Sequence, residues 1–263
     1  MSTPAVWVTR PEPGNRRTAA TLTEAGYTVV AAPVLEIHLQ SPAAFRAREW
    51  PDWLILVSAN AVRGLAAMEK SGGLPGPEGR ARVRVAAVGR RTADAARAEG
   101  WNVETVPDVQ DAAGLADALA GRLDGATAWI PAGNREGSAT RDLPGYLRSQ
   151  GAAVRGFQVY ATVTRPLSPD DRDRLAGSEP GALVLHSPSC AEAVYAAPPN
   201  AALAGERLAA WKTVPAVCIG AVTAARCREL AGIQILDCKS PSDGDIVDAL
   251  SSIPSLVPGK DTA

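Results

Sequence analysis

Histidine is almost missing from this 263-residue chain. Only His38 and His186 occur, so no multi-histidine metal site is available, and no Cys/His/Asp cluster compensates. The four cysteines, Cys190, Cys218, Cys227 and Cys238, have no CxxC spacing, and Cys218 lies in an apolar run. They read as buried free thiols in a reducing cytoplasm. Neither sign of charge dominates. With 27 Lys and Arg against 28 Asp and Glu the net charge is -1, so no bulk basic field points to nucleic acid or a membrane surface. No apolar run approaches the roughly 20 residues of a spanning helix. The N-terminus also lacks the basic start and apolar stretch of a secretory signal. No GxGxxG follows the first strand of either half and no GxxxxGKS/T occurs, so dinucleotide and P-loop sites are unsupported. There is no GxSxG elbow, and neither histidine has positional support for a Ser-His-Asp triad. The expectation is a protein that handles an anion without metal or cofactor.

What the chain does have is a copy of itself. The run WIPAGNREGSATRDLPGYLRSQGAAVRGFQVYATVT, residues 129–164, is answered by VWVTRPEPGNRRTAATLTEAGYTVVAAPVLEI, residues 6–37. Each has a strand, a proline-marked break, an Asn-Arg loop, a helix, a glycine stop and a closing strand. Trp7 matches Trp129, Gly26 matches Gly151 and Ser58 matches Ser187. Gly89 matches Gly220, Thr92 matches Thr223 and Asp117 matches Asp248. One period of nearly half the chain is a duplicated domain, not a solenoid of short repeats. Two domains of about 130 residues are an ordinary size.

Within each half, strands alternate with short helices. In the first half, strands are expected at 5–9, 27–32, 54–57, 83–88 and 101–106. Helices are expected at 15–25, from the Ser58 cap to about 70, at 92–99, and from the Asp111 cap to 123. Residues 33–42 are extended and 71–78 form a Gly/Pro-rich loop. In the second half the strand from Trp129 breaks at Pro131, a helix covers 140–150, and an extended run ends at Thr162. An additional acidic helix is expected at 168–176, and 196–199 and the last ten residues read as loop or tail. Continuous apolar strands separated by helices predict two similar, small, doubly wound parallel α/β domains.

In such sheets ligands bind beyond the carboxyl ends of the strands, where loops enter helix N-termini. Those loops carry Thr9 and Arg10; Ser58 and Asn60; Gly89 and Thr92; Ser187 and Ser189; Gly220 and Thr223. Hydroxyls, glycine backbone and positive helix ends suit carboxylates as well as phosphates. Each Ser or Thr also fits a plain N-cap, but recurrence in two domains favours a shared anionic ligand. His186, next to Ser187, fits either a ligand contact or a structural role.

These residues carry a family resemblance over about residues 5–250. The Val-Thr-Arg start, the Ser58-to-Val62 segment, both Gly-x-x-Thr-Ala segments, Gly-Asn-Arg-Glu-Gly at 133–137 with Asn134, Val-Tyr-x-Thr at 159–162 and Ser-Pro-Ser at 187–189 resemble uroporphyrinogen-III synthase. His186 and Val57 depart from it, at positions where threonine is common. The resemblance implies a hydro-lyase of haem biosynthesis. Such an enzyme cyclises hydroxymethylbilane to uroporphyrinogen III without a cofactor, losing water and inverting ring D. It also implies a cytoplasmic monomer of two α/β domains joined by two strands, with product in the cleft between them. Residues 1–35 with 165–263 would form one domain and 39–160 the other, with 33–39 and 159–166 as antiparallel connectors. Ser58, Ser187, Thr223 and the backbone at Gly89 and Gly220 would face the cleft. Tyr160 would be the proton donor to the leaving hydroxyl, against a purely structural role in the connector. A non-catalytic two-lobed protein that closes on an anionic small molecule is the competing expectation.

Overall fold

The computed structural model describes residues 3–40, 45, 47–134, 143–196 and 206–256. It opens with β1 (Pro4–Val8) and α1 (Gly14–Glu24). Gly26, at φ 88°, stops the helix, with its N–H donating to Thr23 O at 2.9 Å and Tyr27 N–H to Leu22 O at 3.0 Å. β2 (Thr28–Ala31) and β3 (Leu35–Leu39) follow. β4 (Trp53–Leu56) is buried throughout and runs into α2 (Ala59–Lys70), whose cap Ser58 accepts from Ala61 N–H at 3.0 Å. Next come β5 (Arg84–Ala87), α3 (Arg90–Ala98), β6 (Val103–Thr105) and α4 (Ala112–Leu119), the last capped by Asp111. β7 (Thr127–Gly133), α5 (Leu143–Ser149) and β8 (Ala153–Thr164) form the counterpart of the opening. Here Gly151, at φ 86°, repeats the stop. Its N–H donates to Arg148 O at 3.0 Å and Ala152 N–H to Leu147 O at 3.1 Å. A left-handed residue is what this helix ending requires, and glycine takes it without a Cβ clash. The chain continues through α6 (Pro169–Gly177), β9 (Glu179–Leu185), α7 (Pro188–Tyr195) and the short α8 (Glu206–Ala209). It closes with β10 (Ala216–Cys218), α9 (Ala221–Leu230), β11 (Ile235–Asp237) and α10 (Asp243–Ser251).

The chain divides into two compact units, Met1–Glu36 with Val163–Ala263 and Ile37–Thr162. The first holds a sheet of order β11-β10-β9-β1-β2, with every neighbouring pair parallel. The second holds β3-β8-β7-β4-β5-β6, parallel from β8 to β6. Matching β1 to β7, β2 to β8, β9 to β4, β10 to β5 and β11 to β6, as the sequence repeat does, makes the two orders identical apart from β3. Each half of the chain therefore gives its first βαβ to the unit built mostly by the other half. The crossings fall within β3 and β8, which pair at the sheet edge, where Gln40 N–H donates to Val159 O at 2.9 Å.

Period-two alternation sorts each sheet onto two cores. In the first unit Trp7, Leu183, Leu185 and Cys218 face one cluster, with Trp211 edge-on to Trp7 at 5.8 Å. Val6, Val8, Val184 and Val217 face the other, with Leu22, Ile246 and Leu250. In the second unit Leu54, Leu56, Val85 and Trp129 pack with Leu65 and Met68, while Trp53, Ile55, Ala86 and Ile130 pack with Leu115, Leu119 and Leu147.

Local chemistry moves several expected boundaries. The strand at Trp129 does not break at Pro131. β7 stays paired with β8 to Gly133, and its pairing with β4 ends at Trp129, so the missing proline N–H interrupts no ladder there. α3 starts two residues earlier than expected because Gly89, not a side chain, is its cap and Arg90 N–H finds Gln110 Oε1 at 2.8 Å. α4 stops at Leu119, since Ala120 leaves helical geometry and Gly121 takes φ 70°. Pro77–Arg82 and Pro254–Leu256 form 3-10 turns where loop and tail were expected, the latter burying Leu256. Residues 135–142, 197–199 and 257–263 of the expected loop, helix start and tail lie outside the described residues, as does Pro42.

Candidate functional site

At the carboxyl ends of β1 and β9, the first unit builds a polar cluster on a buried hydroxyl. Thr18, on α1, is fully buried. Its Oγ1 donates to Asp243 Oδ1 at 2.9 Å, accepts from Arg10 Nη1 at 3.2 Å, and lies 3.4 Å from His186 Nε2. Asp243 also approaches Arg10 (3.9 Å) and Arg17 (3.7 Å). The buried Asn15 amide ties the loop down by donating to Val8 O and Arg10 O, both at 2.8 Å. A Cβ on Gly14 would come within 2.5 Å of Arg10 Nε, so that glycine is the floor on which the guanidinium lies. Two arginines against one aspartate leave the cluster cationic in a chain whose net charge is -1.

Other expected residues of this unit are more committed to the fold. Thr9 is fully buried and its hydroxyl donates to Val184 O at 2.7 Å, holding β1 to β9. Ser187 caps α7, accepting Cys190 N–H at 3.2 Å and contacting Cys190 Sγ at 3.4 Å. Burial pushes that thiol's pKa up, so Cys190 is a packing residue beside the loop rather than a nucleophile. Ser189 is half-buried in the first turn of α7. Gly220 caps α9 through extended backbone, and Thr223, 3 % exposed, is buried in the first turn of α9.

In the second unit Tyr160, on β8, comes to the N-terminus of α2. Its hydroxyl lies 3.2 Å from Ser58 Oγ, the atom that also caps the helix. The ring is admitted only because residue 133 is glycine: a Cβ there would sit 2.5 Å from Tyr160 Cζ. Asn134 continues the same edge, its Oδ1 accepting Thr162 N–H at 2.7 Å. Asn60, half-buried on α2, accepts from Arg63 at 3.3 Å. Gly89 is buried at the start of α3, whose first N–H is taken by Gln110, and Thr92 is 5 % exposed. Beside them a cavity of about 330 Å³ is lined by Arg90, Asp94, Arg97, Pro107 and Gln110.

The structure thus brings Tyr160, Ser58 and Asn134 to one end of one sheet, and Arg10 and His186 to one end of the other. Sequence reasoning missed Thr18, Asp243 and Gln110, and it read Gly133 as part of a loop motif without its place beside Tyr160. Thr18 had a local signal, three residues after Asn15 on a helix face, but Asp243 is 225 residues from it and carried none. Among the described residues no group of His, Cys, Asp and Glu is placed to hold a metal ion, and no helix is long and apolar enough to cross a membrane.

Comparison with known proteins places this architecture. The crystal structure of uroporphyrinogen-III synthetase from Helicobacter pylori superposes with a TM-score of 0.63 at 18 % identity, covering 95 % of this chain and 99 % of that one. A mutant uroporphyrinogen III synthase from Thermus thermophilus gives 0.54 at 20 % identity, over 95 % and 98 %. An archaeal protein from Methanothermobacter thermautotrophicus, provisionally named uroporphyrinogen-III synthase, is 35 % identical over 161 residues, which is 58 % of this chain and 60 % of that relative's length. The family model described as uroporphyrinogen-III synthase HemD matches residues 16–248, and the chain belongs to that family.

Proposed function

We propose that the protein closes the linear tetrapyrrole hydroxymethylbilane to uroporphyrinogen III with inversion of ring D and release of one water, a hydro-lyase reaction of haem biosynthesis. The observation that carries this reading is the Tyr160–Ser58 pair at the start of α2. A phenol carries its proton at neutral pH. Ser58 Oγ already accepts the Ala61 N–H, and its own proton can be donated to the phenol oxygen. Tyr160 is then left to turn its proton toward a departing hydroxyl. As that C–O bond breaks, the proton leaves with the hydroxyl as water. The phenolate that forms is met by the Ser58 hydroxyl and the positive end of α2. The carbon freed of its hydroxyl bonds to ring D at the carbon that carries its bridge. That bridge bond shifts to the free α carbon so that the ring inverts, and the hydrogen displaced there leaves as the proton that restores the phenol. No strongly basic surface is needed for the eight carboxylates of the substrate, since glycine backbone, hydroxyls and the cationic Arg10 cluster supply local donors. The remaining work is positioning of a reactive chain.

Enzymatically generated hydroxymethylbilane, followed by isomer analysis, tests this. Formation of the type III isomer above the spontaneous uninverted background is expected. Binding without any change in isomer ratio would identify a ligand-binding protein instead. Tyr160→Phe keeps the ring and removes the proton. It should lower the type III rate about 10²-fold, with little change in melting temperature and a larger share of the uninverted isomer.

A further inference from the structure

The hydroxyl of Thr18 has one proton and three polar neighbours, and this fixes the protonation of one of them. Asp243 Oδ1, at 2.9 Å, is an acceptor only and takes that proton. Arg10 Nη1, at 3.2 Å, is a donor only and occupies a lone pair of Oγ1. His186 Nε2, at 3.4 Å, faces what remains, the other lone pair. An unprotonated Nε2 would set lone pair against lone pair. The compatible arrangement is Nε2–H donating to Thr18, in a chain running His186 to Thr18 to Asp243. We infer that Thr18, backed by Asp243, is a positioning residue that selects the Nε2–H form of His186, with that proton spent on Thr18, and that holds Arg10, whose guanidinium is presented to an anionic group of the substrate at the carboxyl ends of β1 and β9.

The rest of the cluster fits this assignment. Thr18 is fully buried, so its hydroxyl serves these neighbours and not solvent. Asn15 holds the Arg10 backbone from below. Gly14 leaves the guanidinium the space it occupies. Arg17 shares Asp243, which keeps the carboxylate from neutralising Arg10 alone.

The role in substrate capture rests on the proposed reaction, whereas the tautomer does not, and two measurements separate them. Nitrogen-15 histidine NMR on the full chain, with His38→Gln assigning the second ring, should show His186 protonated at Nε2. Thr18→Val, nearly isosteric, should release that preference, and Thr18→Ser should restore it. With hydroxymethylbilane as substrate, Thr18→Val should raise KM about tenfold, the loss of one or two hydrogen bonds, with kcat changed far less, and Thr18→Ser should recover most of it. If buried Thr18→Val fails to fold, Asp243→Asn supplies the same readouts, because an amide can return a proton to the hydroxyl and disturb the chain. An Nδ1–H tautomer in the wild type, or a tautomer and KM indifferent to both substitutions, overturns the inference. A protein with the expected tautomer but no type III product leaves the positioning chain standing and removes the reaction.

Discussion

Gly133→Ala probes the second unit without adding or removing a polar atom. The added Cβ would lie 2.5 Å from Tyr160 Cζ, 2.6 Å from Cε2 and 2.9 Å from the hydroxyl oxygen. Carbon atoms rest at about 3.5–4.0 Å, so the ring must retreat by roughly 1 Å. The Ser58–Tyr160 contact is already 3.2 Å. A retreat of that size opens it beyond hydrogen-bonding range. Overpacking of this kind costs about 1–3 kcal/mol, and the melting temperature should fall by about 2–4 °C for each of those. The larger effect is expected on rate, because about 1 Å of misplacement of a reacting group can cost 10²-fold. Two assays decide: isomer-resolved product formation from hydroxymethylbilane, and thermal unfolding. Type III formation should drop to the level of Tyr160→Phe, and Gly133→Ala on a Tyr160→Phe background should lose nothing more. Full activity in Gly133→Ala, with the wild-type isomer ratio, would show that the phenol position is irrelevant and refute the argument.

Other expectations follow from single contacts. Gly26→Ala and Gly151→Ala place a Cβ at φ 88° and 86°; each should cost about 1 kcal/mol or more in chemical denaturation, and specific activity of the folded fraction should not change. Asp171 is buried, which raises its pKa, but hydrogen bonds to its carboxylate from the Ser168 N–H, Arg165 and Arg174 outweigh that and hold it below the ordinary aspartate value. A depressed folded-state pKa contributes stability that is complete above the unfolded value near 4 and is lost as pH falls through the folded one. Asp171→Asn should therefore lower the melting temperature at pH 7 and flatten its decline at acid pH; equal acid sensitivity of both proteins would contradict this. A fragment of residues 37–162 should fold alone with dispersed amide resonances, whereas 1–125 should not, because it carries only β1 and β2 of one sheet and β3 to β6, without β7 and β8, of the other.

The sequence by itself determined the duplication, the parallel α/β class and the family, because these rest on local signals. Strand runs, Ser58, Asp111 and Ser187 as helix caps, and the glycine stops at 26 and 151 are all written within a few residues of where they act. Local signals also misplaced what depended on neighbours. Pro131 read as a break, yet it sits where one side of β7 has no partner. The start of α3 depended on Gln110, 20 residues away. Thr9 looked like a ligand hydroxyl until its carbonyl partner on β9 was in view, 175 residues on. Only the tertiary structure decided that Gly133 makes room for Tyr160 and that Thr18 joins Arg10, His186 and Asp243. Periodicity reports which face of an element is buried. It does not report which distant element arrives to cover it, and it is that arrival, between residues as far apart as 18 and 243, that sets a buried helix hydroxyl among an arginine, a histidine and an aspartate.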